Sequence, residues 1–296
     1  MTEIKITQLN LNHAKLAQDN INGKIAKLNI KDPPILYIFC IQEPYLFHKK
    51  HARKPVSCKS FMIADSPRTA IYTHQNLQNT WFIESLSNRD CTVIQTIINK
   101  KDTIIASVYL DITDQNVIPE WLHTLVKYTN DNRTGLLICM DSNCHSTTYG
   151  NETNKRGEML EDFIATNLFK IENIGKNYTY ETSQAKTIID ITISKSLNIS
   201  VTDWTVDKTN NFSDHNTITF ALNTEKLILP QSRQWEKADW KTFETELNGR
   251  SVKLREKITP QRMEKALDKF YTNINKSLDA ACPLSEQRTV DKNSPW

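Results

Sequence analysis

No two cysteines in this 296-residue sequence stand at C-x-x-C spacing. The six cysteines, Cys40, Cys58, Cys91, Cys139, Cys144 and Cys282, are scattered, and several sit inside apolar runs such as ILYIFCI and GLLICM. That pattern points to reduced core thiols in an intracellular chain. No stretch approaches the roughly 20 apolar residues that a bilayer span requires. The charged start MTEIKITQLN lacks the apolar core of a secretory signal, so a soluble protein is expected. Strong charge of either sign is also missing: 37 basic residues against 34 acidic leave a net +3. Attraction to phosphate must therefore come from a local patch and not from bulk charge. Internal repeats and low-complexity segments are absent as well.

What is present is 39% hydrophobic residues, enough for an ordinary buried core. Short β-branched and aromatic runs recur along the chain, among them IKITQLNL, ILYIFCI, CTVIQTII, TIIASVYL, GLLICM, TIIDITIS and NTITFAL. Their length and their polar or Pro/Gly boundaries predict sheet strands. Helical spacing interrupts them over 14–28, 119–128 and 155–167, the second opened by Pro119 and the third by an Asn154 cap. Many strands with helices between them fit two packed sheets flanked by helices. After about residue 226 the strand signals stop, and two polar amphipathic helices are expected. The expected domains are a catalytic unit over 1–225 and a helical extension over 226–296, the whole reading as the leading part of a longer polyprotein.

Five polar clusters share one placement, at or just beyond an apolar strand: QLNLNH (8–13), CIQEPY (40–45), MDSNCH (140–145), TIIDIT (187–192) and FSDHNTI (212–218). Strand ends are where a rigid sheet can aim side chains at a common point. Each cluster alone has an ordinary explanation. Asn10 and Asn12 fit the wet face of an edge strand, Glu43 a solvated turn, and Asp141, Asn143 and His145 a loop rich in turn-forming residues. Asp214 and His215 fit a cap and a surface imidazole, while Asp190 reads as mid-strand, where an unpaired charge is expensive to bury. Together, Glu43, Asp141 and an Asn supply hard oxygen ligands suited to magnesium. Cys144 and His145 lack the further Cys or His partners of a tetrahedral zinc site. An imidazole held by one carboxylate, with another carboxylate to activate water, would complete a phosphate-ester hydrolase.

At these clusters the chain resembles the endonuclease/exonuclease/phosphatase superfamily. Its ordered signature appears as Asn10, Gln42-Glu43, Tyr109 in ASVYLD, Asp141-Ser142-Asn143, Asp190 and Ser213-Asp214-His215, covering about residues 4–222. Within it, QLNLNH, DSNCHSTTYG, NKRGEMLEDFIATNL and a tail with spaced Trp235 and Trp240 are similar to the endonuclease domain of non-LTR (LINE-type) retrotransposons. The resemblance implies a four-layer α/β/β/α sandwich and magnesium-dependent hydrolysis of a DNA phosphodiester, with manganese as a substitute ion. In this reading Glu43 holds the metal with Asn10 and Asp214, and Asp141 activates water with help from Asn143. His215, held by Asp190, and Tyr109 contact the phosphate. The 3′-hydroxyl left by the nick would prime reverse transcription, so the implied partners are double-stranded DNA, the element RNA and a reverse transcriptase domain, and the place of action is the nucleus.

Candidate DNA contacts are Asn12, His145, Lys49, Lys50, Arg53, Arg68 and Arg156, three of them in the basic run HKKHARK. Two positions depart from the family pattern: Asn12 stands where many members have Asp, and Met140 where Gly often precedes the D-x-N Asp. The rival readings are an abasic-site repair endonuclease of the same superfamily and a catalytically inactive nucleic-acid-binding remnant.

Overall fold

Alternation is the rule that builds this chain: each strand sends successive side chains to opposite faces, and in the central strands both faces are apolar. The computed structural model describes residues 4–30, 35–48, 50–56, 58–98, 101–195, 200–223, 233–250 and 260–284. The strands form two six-stranded sheets. One runs through Ser200–Asp207, Thr217–Asn223, Ile4–Asn10, Leu36–Gln42, Thr69–His74 and Cys58–Phe61. The other runs through Lys170–Ile171, Asp190–Lys195, Gly135–Asp141, Lys101–Tyr109, Cys91–Ile98 and Thr80–Phe82. Each sheet is mixed because of one parallel pair, Ile4–Asn10 with Leu36–Gln42 and Lys101–Tyr109 with Gly135–Asp141. Parallel neighbours need a crossover, supplied by helix α1 (Lys15–Asn29) in the first case and α2 (Glu120–Asp131) in the second.

Three apolar seams separate four layers. Leu9, Tyr37, Phe39 and Tyr72 of the first sheet pack on Ala17, Ile21 and Ile25 of α1. Ile6, Ile38, Ile105 and Leu137 meet between the sheets. Ile104, Ile138 and Met140 of the second sheet pack with Leu122 and Leu125 of α2 and with Leu160 and Phe163 of α3 (Lys155–Thr166). Of these helices α3 alone starts at a side-chain cap. Pro119 is the residue before α2, in extended conformation, and Asn154 Oδ1 accepts from Gly157 N at 2.8 Å to start α3.

The middle seam changes character along its length. Toward the ends of the two parallel pairs, the same alternation that buries isoleucine brings polar side chains inside. Gln8 Nε2 donates to the Met140 carbonyl at 3.1 Å, and Thr192 Oγ1 donates to Gln8 Oε1 at 3.0 Å. Gln42 Nε2 donates to Ser107 Oγ and to the Cys139 carbonyl, both at 3.1 Å. Buried amides are costly unless bonded, so these links between sheets fix how one sheet sits on the other.

Asp190 is placed differently from the mid-strand reading: it is the first residue of its strand. The amides of the preceding Ile188 and Ile189 donate to side chains, Asn151 Oδ1 at 3.0 Å and Thr179 Oγ1 at 3.1 Å, so no ladder extends through them. Nor is Asp190 on a wet face, since it is 1% exposed.

The chain divides into two units, Met1–Glu225 and Lys226–Trp296. In the second, α4 (Trp240–Gly249) is capped by Asp239, which accepts from the amides of Lys241 and Thr242, and α5 spans Pro260–Ala281. The indoles of Trp235 and Trp240 stack with centroids 6.3 Å apart. Among the described residues no helix is long and apolar enough to cross a membrane.

The middle seam generates a stability prediction. Leu137→Ala, at a fully buried position between the sheets, is expected to lower the unfolding free energy by about 2–5 kcal/mol. Denaturant titration measures it, and a change below about 1 kcal/mol would contradict this account of the seam.

Candidate active site

Strand register assembles the site. Asn10 lies opposite Gln42 in the first parallel pair, which puts Glu43 one residue past the strand end. Tyr109 lies opposite Asp141 in the second, and Asp141 lies opposite Asp190 across the antiparallel ladder. His215 arrives just ahead of Thr217–Asn223, held there by Ser213, whose Oγ donates to the Asn10 carbonyl at 2.7 Å and accepts from His215 N at 3.2 Å.

Asn10 is at the centre. Its Nδ2 donates to Asp141 Oδ2 at 2.7 Å and to Glu43 Oε2 at 3.0 Å, while its Oδ1 accepts from Asn12 N at 2.7 Å. The amide nitrogen, not the oxygen, therefore faces the two carboxylates. His215 Nδ1 lies 2.8 Å from Asp190 Oδ2, and its Nε2 lies 4.0 Å from Asp141 Oδ2. The edge of Tyr180 rests on the imidazole with ring centroids 5.0 Å apart. Asn143 N donates to Asp141 Oδ1 at 3.3 Å, and Asn143 Nδ2 donates to the Leu110 carbonyl at 3.0 Å. Asp214 Oδ2 accepts from Asn12 Nδ2 at 3.1 Å. An ionised Asp in place of Asn12 could not make that bond, so the departure from the family pattern has a local physical role. Met140 is buried against the helical side, away from the carboxylates.

Backbone geometry is unusual at the same places. Glu43 and Asn143 have φ of 45° and 47°, a left-handed conformation that Asn tolerates better than Glu. Two hydrogen bonds hold Glu43 there, from its own N to the Arg68 carbonyl at 2.7 Å and from His13 N to its carbonyl at 2.9 Å.

The electrostatics follow from burial. Desolvation, and then the charge of Asp190, push the Asp141 carboxyl up to about 7. Burial pulls the His215 imidazole down, but Asp190 by charge and hydrogen bond, then Asp141 and Asp214, outweigh it and raise it to about 9. Burial, Glu43 and Asp141 raise the Tyr109 phenol. Ligand atoms of Asp141, Asp190 and His215 lie within 4.8 Å of one another, and Asp190 Oδ1 is buried without a hydrogen-bond partner. An unpartnered oxygen among clustered carboxylates fits a hard divalent cation such as magnesium or manganese. Cys144 is no part of this set: its thiol donates to the Ser142 carbonyl at 3.0 Å, and burial pushes it up to about 11.

The candidate DNA contacts differ in what they are bonded to. Arg68, a candidate DNA contact, donates to the carboxylates of Asp90 and Asp111. Arg156 is likewise occupied: Nε donates to the Asn143 carbonyl at 3.2 Å, Nη2 to the Asp111 carbonyl at 3.0 Å and Nη1 to the Asp114 carbonyl at 2.7 Å. It ties the loop after Tyr109 to the loop after Asp141. Arg53 pairs with Asp19 at 2.6 Å, Lys50 is exposed, and Lys49 lies outside the described residues. His145 is half-buried beside α3, where a Cβ on Gly157 would stand 1.7 Å from its carbonyl oxygen. Sequence reasoning missed Thr179, whose Oγ1 accepts from Asp190 N at 2.9 Å, and Asn211, whose Nδ2 donates to the His215 carbonyl at 2.8 Å. Neither stands in an apolar run that would have marked it.

Residues 103–219 match the family described as "Endonuclease-reverse transcriptase". The chain is 22% identical over 182 residues to "Putative 115 kDa protein in type-1 retrotransposable element R1DM" of Drosophila melanogaster, covering 55% of this chain and 18% of that protein. This sequence thus spans under a fifth of the length of that relative. Its structure resembles the endonuclease domain of TRAS1, a telomere-specific non-LTR retrotransposon, with a TM-score of 0.62 and 21% identity, over 75% of this chain and all of that one. It also resembles the AP endonuclease LMAP from Leishmania major, with a TM-score of 0.57 and 11% identity, over 76% of this chain and 89% of that one. At these identities the structural likeness establishes the fold.

The imidazole gives a pH prediction. Folding raises His215 from 6.5 to about 9, so its contribution to stability is complete below pH 6.5 and is lost as pH rises through about 9. In chelator, the unfolding midpoint should fall across that window, and His215→Gln should flatten the profile. Equal slopes for the two proteins would refute the assignment.

Proposed function

We propose, for a chain with the endonuclease/exonuclease/phosphatase fold that carries an endonuclease-reverse transcriptase family segment, that it is a divalent-metal-dependent DNA endonuclease. It nicks target DNA by phosphodiester hydrolysis and leaves a 3′-hydroxyl that primes reverse transcription. The observation that carries this reading is the convergence of Asn10, Glu43, Asp141, Asp190 and His215 at the strand ends of both sheets, joined by hydrogen bonds and ion pairs.

Glu43 is the hard donor that would hold magnesium or manganese, with Asp214 close by through Asn12, while Asp190 holds His215. Asn10 offers an amide nitrogen to that side, which supports a role in aiming Glu43 and Asp141 over one as a ligand. When bound, the cation supplies charge to the phosphate oxygens and the leaving group. Asp141, raised to about 7 by burial first and Asp190 second, is suited to take a proton from the attacking water near neutral pH. Asn143 N donates to Asp141 Oδ1 and helps to orient that carboxylate. His215 keeps Nδ1 on Asp190, which leaves Nε2 to face a phosphate oxygen as charge builds, with the Tyr109 hydroxyl as a second donor. Lys50 is an exposed basic side chain for a DNA backbone, and Asn12 and His145 are further candidate contacts. In this reading the partners are element RNA and a reverse transcriptase domain and the place of action is the nucleus; what supports the setting is the endonuclease-reverse transcriptase family match and a relative from a retrotransposable element.

Supercoiled plasmid with magnesium should convert to the open-circular form, and chelator should stop it. Asp141→Ala and His215→Ala should each lower kcat by roughly 10²- to 10⁴-fold. Equal nicking by wild type and variants would refute the mechanism. Preference for an abasic duplex over intact DNA would move the assignment to a repair endonuclease, and no cleavage of any DNA would favour an inactive binding module.

A further inference from the structure

Arg68 lies one residue ahead of the strand Thr69–His74 and touches two parts of the site at once. Its carbonyl accepts from Glu43 N at 2.7 Å, one of the bonds that hold Glu43 in its left-handed conformation. Its guanidinium covers the ring of Tyr109, with Cζ 4.9 Å from the centroid. Glu43 directly follows a strand of one sheet and Tyr109 ends a strand of the other, so this residue spans the seam at the site.

The guanidinium is fixed on three sides. Nε and Nη2 grip both oxygens of Asp90, the second at 2.7 Å, and Nη1 donates to Asp111 Oδ2. Asp90 in turn accepts from Tyr109 N through its own carbonyl at 2.9 Å, and Asp111 Oδ1 accepts from the amide and hydroxyl of Thr113 at 2.9 and 2.7 Å. Arg68 is 14% exposed, and its partners are 20% and 21% exposed. That shields the cluster from the solvent screening that makes surface pairs worth little. A planar fork with two carboxylate partners cannot be reproduced by a lysine ammonium.

We infer that Arg68, clamped by Asp90 and Asp111, is a positioning residue that aims the Tyr109 hydroxyl at the reacting phosphate. This rests on the endonuclease reading above. Its action is indirect: Arg68 touches the ring and the backbone of site residues, while each of its three guanidinium nitrogens donates to Asp90 or Asp111.

The test is a double-mutant cycle in the plasmid-nicking assay, with Arg68→Lys and Tyr109→Phe singly and together. Arg68→Lys should lower kcat by roughly 10- to 100-fold with KM within about threefold. In the Tyr109→Phe background the same change should cost less than about threefold, because the hydroxyl it aims is already gone. In metal-free protein, the Tyr109 ring resonances, assigned by their loss in Tyr109→Phe, should shift in Arg68→Lys. If Arg68→Lys fails to fold, Asp90→Asn carries the same cycle. Additive losses, an unmoved ring, or wild-type kcat in Arg68→Lys overturn the inference while wild-type nicking stands. Absence of wild-type nicking overturns the endonuclease reading and this inference with it.

Discussion

One hydrogen bond carries the arrangement: Asn10 Nδ2 to Asp141 Oδ2, from the end of one sheet to the end of the other. A bond to an ionised partner contributes about 1.5–3 kcal/mol, and its loss would strand a buried carboxylate at greater cost. Because the same nitrogen holds Glu43, two acids that like charge would drive apart are kept on one amide. The links of Gln8 and Gln42 behind it extend the same logic down the seam, so that the site is the polar end of the core and not a surface added to it.

That placement explains the electrostatics. Asp141 and Asp190 face one imidazole, and burial stops water from screening them. Burial and then the charge of Asp190 raise Asp141, and Asp190 raises His215 against burial; the attraction between Asp141 and His215 itself lowers the first and raises the second. Natural cores rarely bury such sets without a function that needs them.

The site's outline is legible in the sequence because a period of two is simple. Asn10, Gln42 and Asp141 are found by following apolar runs to their ends, Tyr109 by the family resemblance, and the helices by their spacing and by Asn154. What escapes is whatever depends on a partner distant in sequence. Arg68 and Arg156 read as free positive charge, because nothing adjacent reveals that Asp90, Asp111 and a set of loop carbonyls lie opposite them. Asp190 reads as mid-strand because Ile188 and Ile189 look like strand residues. Only the fold supplies the Asn151 and Thr179 side chains that take their amides. Thr179 and Asn211 act through single hydrogen bonds, which leave no pattern in composition.

Gly157 makes its contribution by having no side chain. With the His145 carbonyl where a Cβ would stand, and Arg156 and Asn154 bonded to the same loop, the segment after Asp141 lies directly on the first turn of α3. A loop seated this way has little room for the nanosecond excursions usual for surface loops. Its motion is that of the helix, and any rearrangement beside a bound duplex requires the outer layer of the sandwich to move as a body.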